Sequence, residues 1–308
     1  MRIIDDLAFA RGDFSSPAVT IGSYDGLHRG HQEIIKRVIE RARGEGGDAV
    51  VLTFEPHPVK LLQPQLRIPL ITPYRKKMML LERFGVDATI NLPFTRDLSE
   101  MSAGAFLQEI VQERIGPCWV VVGFNFSFGK DRGGTADELK KMGERLGFEV
   151  EISPPFTVDD EVVSSTRIRE LIVEGSIKEA NRMLGRDFII MGRVIHGHAR
   201  GKGLGFPTAN LEITSDLYPK NGVYAATVTE GAKTYHGVVN IGTNPTFDDE
   251  EFAVEVFLFN YQGDLYGREL QLSLVDRLRD EQSFPSPDAL VHQIEKDIQR
   301  AKEVLSGK

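Results

Sequence analysis

VTIGSYDGLHRGHQEII, residues 19–35, is the stretch from which the remainder of the chain is read. A short apolar run, Ala18–Ile21, leads into a polar turn and then an amphipathic helix opening near Gly30. Ile34, Ile35, Val38, Ile39 and Ala42 keep the helical period. The turn sets His28 and His31 three residues apart with Gly30 between them, where the first backbone N–H groups of a helix lack partners. A helix start with a positive dipole end is a natural seat for phosphate. Two imidazoles there can hold a nucleotide's phosphates and follow charge as it builds on them. The competing reading is a loop whose histidines face water, because short motifs recur by chance.

Around this unit the first half alternates strand-like and helix-like segments: DAVVLTF (48–54), TPYRKKMMLLERFG (72–85), DATINL (87–92), SAGAFLQEIVQERIG (102–116), CWVVVG (118–123), TADELKKMGERLG (135–147) and FEVEI (148–152). Thr72 reads as an N-cap with Pro73 at the first helical position, and Thr135 with Glu138 as a capping box. Such alternation predicts a parallel, doubly wound sheet, whose ligands sit beyond the carboxyl ends of the strands at the switch point. The turns at 23–30, 55–58 and 124–134 all follow strands and converge there. A helical stretch over 165–186 closes this half, with a second capping box at Ser176 and Glu179 and a stop at Gly185. From Asp187 the pattern turns β-rich (FIIMGRVI, GVYAATVTE, KTYHGVVNIG, FAVEVFLFN, ELQLSLVDR), which predicts a compact antiparallel barrel. A last helix starts at Ser286 and Pro287. The expected domains are 1–185 and 186–308.

At 308 residues, 41% hydrophobic and 27% charged, the chain is long enough for two globular domains. A formal net charge of −8 argues against a bulk nucleic-acid binder. The single cysteine, Cys118, permits no internal disulfide and reads as a small core residue. The N-terminus carries acids and no long apolar stretch, so neither a signal peptide nor a membrane span is expected and the address is cytoplasmic. Oligomeric state is not readable.

Several further constellations carry chemistry. Phe54 ends a strand in TFEPHP, and GFNFSFGKDRGG (123–134) mixes Phe124, Phe126 and Phe128 with Asn125, giving walls for a flat aromatic ligand or anchors for a long loop. Arg75, Lys76 and Lys77 read as a solvated face. SSTRIRE (164–170) brings the Ser164, Ser165 and Thr166 hydroxyls to a helix start with Arg167 and Arg169 close behind. That describes an ordinary cap or a triphosphate clamp. No Walker A motif is present: GHARGKG (197–203) has the wrong spacing. Glycines 197, 201, 203 and 205 form a loop able to approach phosphates. Thr208 and Asn210 of PTAN share one face of an extended chain and offer uncharged oxygens suited to Mg²⁺ with ATP. Glu255, amid Ala253, Val254, Val256 and Phe257, is a carboxylate that needs a partner or a use. It is either a general base or half of a salt bridge to an arginine such as Arg279.

Together these residues resemble the bacterial bifunctional FAD synthetases, riboflavin kinase joined to FMN adenylyltransferase. The front half is similar to the H-x-G-H nucleotidyltransferases through GSYDGLHRGH and SSTRIRE, and to their flavin branch through TFEPHP and GFNFSFG. The rear half is similar to riboflavin kinases through LGFPTANL, GVYA, NIGTNPTF, VEVFLF, DLYG and LRDEQSF. The resemblance implies a Rossmann-like nucleotidyltransferase domain and a six-stranded barrel. It implies His28 and His31 on ATP phosphates, with Gly22, Tyr24, Gly30, Asn125, Ser164, Ser165, Thr166, Arg167, Arg169, Gly203 and Gly205 contributing to ATP sites. Thr208 and Asn210 match a Mg–nucleotide pair, Glu255 a base, and Phe54, Phe126, Phe128, Arg279 and Glu281 flavin contacts. The implied substrates are riboflavin, FMN and ATP, with Mg²⁺ accompanying ATP. Tyr24, where Phe is more usual, and Asn125, where Asp is common, depart from the pattern. The rival readings are a nucleotidyltransferase for another phosphorylated metabolite with an accessory barrel, an RNA-acting enzyme using the same turn, and a flavin-binding regulator without turnover.

Overall fold

The structure is a computed structural model that describes residues 1–5, 12–196, 203–213, 215–243 and 252–307. Two compact units emerge, Met1–Ser165 and Thr166–Lys308. In the first, six parallel strands lie in the order β1 (Arg2–Ile4), β4 (Ala88–Pro93), β3 (Ala49–Glu55), β2 (Ala18–Ile21), β5 (Trp119–Gly123) and β8 (Glu149–Ser153). Strands β2 and most of β3 and β5 are buried throughout, the signature of a parallel sheet covered on both faces. The order reverses between β2 and β5, so the crevice beyond their carboxyl ends receives the turn after β2 and the loop after β5.

Helices α1 (Arg29–Gly44), α2 (Pro58–Leu62), α3 (Tyr74–Arg83), α4 (Arg96–Glu100), α5 (Ala103–Ala105) and α6 (Ala136–Leu146) join these strands. Ile34, Ile35, Val38 and Ala42 are the buried stripe of α1, as their spacing predicts. The run expected as one helix over 102–116 begins as α5 and continues with π-helical bonding over Phe106–Ile115, ending where Gly116 turns left-handed. Short ladders pair β6 (Ser127–Phe128) with β7 (Gly134–Thr135), and β9 (Thr157–Val158) with β10 (Glu161–Val162). The capping box at Thr135 and Glu138 forms.

The second unit begins with α7 (Ser165–Glu174) and α8 (Ile177–Leu184), split at Gly175, whose φ of +85° breaks the expected stretch. Ser176 caps α8 without a side-chain hydrogen bond, so the expected second capping box does not form. Six antiparallel strands then close a barrel in the order β11 (Phe188–Ile195), β12 (Ala209–Ile213), β15 (Ala253–Leu258), β14 (Lys233–Gly242), β13 (Gly222–Glu230) and β16 (Glu269–Arg279). Helix α9 (Pro287–Ser306), capped by Ser286, buries Ala301 and Leu305 against Val223, Ala225, Val275 and Leu278. Among the described residues no helix is long and apolar enough to cross a membrane.

Candidate functional sites

In the first unit the turn after β2 is built under strain. Tyr24 (φ 51°) and Leu27 (φ 42°) are left-handed without being glycine, which costs on the order of 1–3 kcal/mol each. Side chains from distant elements hold it. The Thr20 hydroxyl donates to the Val121 carbonyl at 2.6 Å, so the Tyr24 hydroxyl donates to Thr20. The Thr72 hydroxyl accepts from the Gly26 N–H (2.8 Å), and the Thr72 N–H donates to the Asp25 carboxylate (2.9 Å). Ser165 Oγ donates to the Asp25 carbonyl at 2.7 Å, and Lys77 Nζ donates to the Ser23 carbonyl at 2.9 Å. Each such bond contributes about 1 kcal/mol, enough together to offset the strain. Thr72 therefore ties the turn instead of capping α3, whose N-cap is Pro73.

His28 is the N-cap of α1, its Nδ1 accepting the His31 N–H at 3.3 Å. An accepting ring nitrogen carries no proton, so neutral His28 presents its Nε2–H. One donor expected free for a ligand is thus taken by the cap. The two imidazoles stack with centroids 3.6 Å apart and planes 17° off parallel, and Tyr24 meets His31 edge-on at 5.0 Å. His28 is buried, which overturns the reading of histidines facing water. The His31 ring is desolvated although the residue keeps some exposure, and its Nδ1 has no hydrogen-bond partner among the described residues. Desolvation first, then the Lys77 charge and the repulsion a proton on His28 would add, hold its imidazole well below the usual 6.5, so it is neutral at pH 7. A Cβ on Gly30 would sit 3.3 Å from the His28 ring, so a side chain there would press on the stack.

Gly22, Tyr24, His28, Gly30, His31 and Ser165 thus come together in one unit. Tyr24 is buried and acts by backing His31. Asn125 and Phe124 are exposed on the loop after β5, beside β2 at the switch point. Phe126 is half-buried and stacks on Phe128 at 5.3 Å, while Phe54 meets Phe94 edge-on at 5.6 Å. Phe128 itself lies in the core with Phe106, so it supports Phe126 and is not a wall of the crevice. Ser164 is half-exposed just before α7. Thr166, Arg167 and Arg169 fall in the second unit, where Arg167 Nη1 lies 3.5 Å from Glu170.

Lys77 is the residue the sequence reading missed. The expected solvated face is wrong for Lys76 and Lys77, which are both 3% exposed; only Arg75 of the three is exposed. Lys76 Nζ donates to the Ile71 carbonyl at 3.0 Å and Lys77 Nζ to Thr53 Oγ1 at 3.2 Å as well as to Ser23. Their spacing within the apolar run of α3 was the available signal: Lys77 precedes Met78 and follows Tyr74 by three, on the buried stripe.

In the barrel, Asn210 of β12 and Asn240 of β14 are both direct register partners of Glu255 on β15. Cross-strand partners share a face, so Glu255 stands in a row between two carboxamides. It is half-buried with Ala253 and Phe257, on the face opposite the buried Val254, Val256 and Leu258. Thr208 immediately precedes β12, and Phe206 meets Phe257 edge-on at 5.7 Å, fixing the 203–208 segment against the strand that carries Glu255. Gly203 and Gly205 are exposed there; glycines 197 and 201, and the PTF of NIGTNPTF, lie outside the described residues. Arg279, the arginine offered above as a partner for Glu255, is paired on another element. The Arg279 guanidinium clasps Asp297 of α9 at 2.8–3.0 Å. Glu281 accepts from the Thr243 N–H and from the Asn221 amide, both at 3.0 Å. Arg279 and Glu281 therefore brace the barrel wall in this structure.

A doubly wound sheet with stacked histidines at the helix after β2, followed by a closed six-stranded barrel, is the architecture of a two-part transferase, as the family matches show. Residues 12–167 match the FAD synthetase family model, and residues 184–305 the riboflavin kinase family model. The bifunctional riboflavin kinase/FMN adenylyltransferase of Haemophilus influenzae is 33% identical over 308 residues, covering 100% of both chains. That of Pseudomonas fluorescens is 36% identical over 99% of this chain and 98% of its own, and that of Listeria monocytogenes 37% over 91% and 90%. A solved structure described as a macrolide-efflux protein from Streptococcus pneumoniae superposes with a TM-score of 0.87, at 33% identity over 98% of this chain and 99% of that one. The chain belongs to the bifunctional riboflavin kinase/FMN adenylyltransferase family. It is a transferase with both activities, which together make FAD.

Proposed function

We propose that the two reactions use separate sites, adenylyl transfer in the front domain (1–185) and riboflavin phosphorylation in the barrel domain (186–308). The observation that carries this reading is that each unit has its own cluster of polar side chains: the histidine stack at α1, and Glu255 in register with Asn210. In the barrel, Glu255 takes the proton of the ribityl 5′-hydroxyl of riboflavin as that oxygen attacks the γ-phosphorus of ATP; the bond to the β,γ-bridging oxygen breaks, giving FMN and ADP. Thr208 and Asn210 offer oxygens next to a carboxylate, a hard donor set that fits Mg²⁺. Bound with ATP, the ion would neutralise phosphate charge. Gly203 and Gly205 let backbone approach the nucleotide, and positioning supplies most of the acceleration.

In the front site, an FMN phosphate oxygen attacks the α-phosphorus of a second ATP and pyrophosphate leaves. His28 Nε2–H and neutral His31 serve as hydrogen-bond donors to the growing charge, with the α1 start, Gly22 and Gly30 leaving room for phosphate. Asn125, Ser164 and Ser165 complete the nucleotide contacts, and Phe54 and Phe126 the flavin walls, with Phe128 as support. Arg279 and Glu281 act on flavin from the barrel wall. An ATP-supplied cytoplasmic setting accords with these substrates.

Glu255→Gln is expected to lower FMN formation by about 10²–10⁴-fold, while FMN-to-FAD conversion stays intact. His28→Ala with His31→Ala is expected to let FMN accumulate without FAD. Chromatography of products from riboflavin and from FMN reads both; loss of both activities in either variant contradicts separate sites.

A further inference from the structure

We propose that Lys77 is a positioning residue of the adenylyl-transfer site, its buried ammonium tying the 22–28 turn from the sheet side and setting a fixed positive charge behind the phosphate seat. The inference rests on the assignment of adenylyl transfer to that turn. It begins from burial: a lysine 3% exposed gives up most of its hydration, which a fold retains only where the charge is compensated or used. Its Nζ donates to the Ser23 carbonyl at 2.9 Å and to Thr53 Oγ1 at 3.2 Å, both neutral acceptors. A neutral amide would serve those two bonds equally well, so the hydrogen bonds do not explain the charge.

The charged groups facing Lys77 are Glu55 of β3 and Asp25 of the turn; both favour the ammonium form against the desolvation that opposes it. Those facing His31 are His28 and Lys77, and both disfavour its protonation. The charge thus acts in two ways. It adds to the desolvation that keeps His31 neutral, as a hydrogen-bond donor. It also lies in place before phosphate arrives, so stabilising the leaving pyrophosphate requires no reorganisation. Ser23 is the residue through which position is transmitted, because it opens the turn that carries the strained Tyr24 and Leu27.

Riboflavin phosphorylation, assigned to the other unit, is the internal measure of active protein, and the fluorescence of Trp119 in β5 reads whether the unit that carries Lys77 is folded. Lys77→Gln keeps amide donors for Ser23 and removes the charge; Lys77→Met removes both. Expected for Lys77→Gln are riboflavin phosphorylation within twofold of the parent and a kcat for FMN adenylylation reduced about tenfold or more. The His31 imidazole titration, followed by NMR, should move upward by on the order of one pH unit. Lys77→Arg, which keeps the charge, should restore most of that titration shift. Should Lys77→Met fail to fold, the Gln and Arg variants carry the test. Unchanged adenylylation kcat and an unmoved His31 titration in Lys77→Gln overturn the proposal, as does a fall in melting temperature that alone accounts for lost activity. His31→Ala distinguishes the failures: if it leaves adenylylation unchanged, the site assignment fails; if it abolishes adenylylation while Lys77→Gln does nothing, only the role of Lys77 fails.

Discussion

His31 shows how a single side chain can tie stability to pH at a site meant for anions. Its imidazole is neutral in the fold because desolvation, His28 and Lys77 all oppose a proton, and stacking two imidazolium rings at 3.6 Å would add repulsion. In the unfolded chain the same ring titrates near 6.5, so below that pH the unfolded state binds more protons than the folded one. The contribution of His31 to stability is therefore complete above about pH 6.5 and is lost as pH falls below it, until the depressed folded-state value is reached. The slope it adds approaches about 1.4 kcal/mol per pH unit. Trp119 is the chain's one tryptophan and lies in β5 of the same unit, so its fluorescence follows unfolding of that unit. Urea unfolding read at Trp119 between pH 7.5 and 5.5 should weaken more steeply in the parent than in His31→Gln. Equal slopes would mean that the ring is not neutral in the fold.

At the level of elements, α9 is held to the barrel by one concentrated contact as well as by its apolar stripe. Asp297 is 5% exposed, takes a bidentate Arg279 from the end of β16, and accepts from Gln293 at 2.9 Å. Asp297→Asn leaves a largely buried guanidinium without its counter-charge. Discounting for the fifth of the Arg279 side chain that remains exposed, the loss is about 2–3 kcal/mol. Riboflavin kinase activity should then inactivate at a temperature lower by on the order of 5–10 °C, with FMN adenylylation at 25 °C unchanged; equal thermal inactivation curves would refute the tie. The strands of both units were readable because fully apolar runs and strict alternation have few other solutions. β1 and β12 were not: Arg2–Ile4 is three residues long at a sheet edge, and Ala209–Ile213 was read only as the PTAN loop because its side chains advertise chemistry. Interactions that depend on distant partners were equally hidden. Thr72 looked like a local cap and is claimed by Asp25, and Ser176 with Glu179 has the spelling of a capping box without its hydrogen bonds. The site's histidines and Glu255 could be named from the sequence. Asn240 could not, because only strand register brings it to Glu255; for Lys77 the spacing in α3 signals burial but not its bond to Ser23.

Across the whole molecule, a chain of net charge −8 keeps its candidate phosphate groups local: a helix start, a buried ammonium and uncharged oxygens. His28, His31 and Lys77 belong to Met1–Ser165, and Thr208, Asn210, Asn240 and Glu255 to Thr166–Lys308. On the separate-site proposal, FMN leaves one site as a free species, or is handed across, before it enters the other. Mixing two defective proteins separates those routes. Glu255→Gln cannot make FMN but can adenylylate it; His28→Ala with His31→Ala makes FMN and stops. Given riboflavin and ATP, the mixture should form FAD after a lag during which free FMN builds up, and raising total protein should shorten that lag. Absence of FAD, with each variant still active in its remaining reaction, would mean that FMN passes only within one chain. The separate-site reading would then hold for the chemistry but fail for the route of the intermediate.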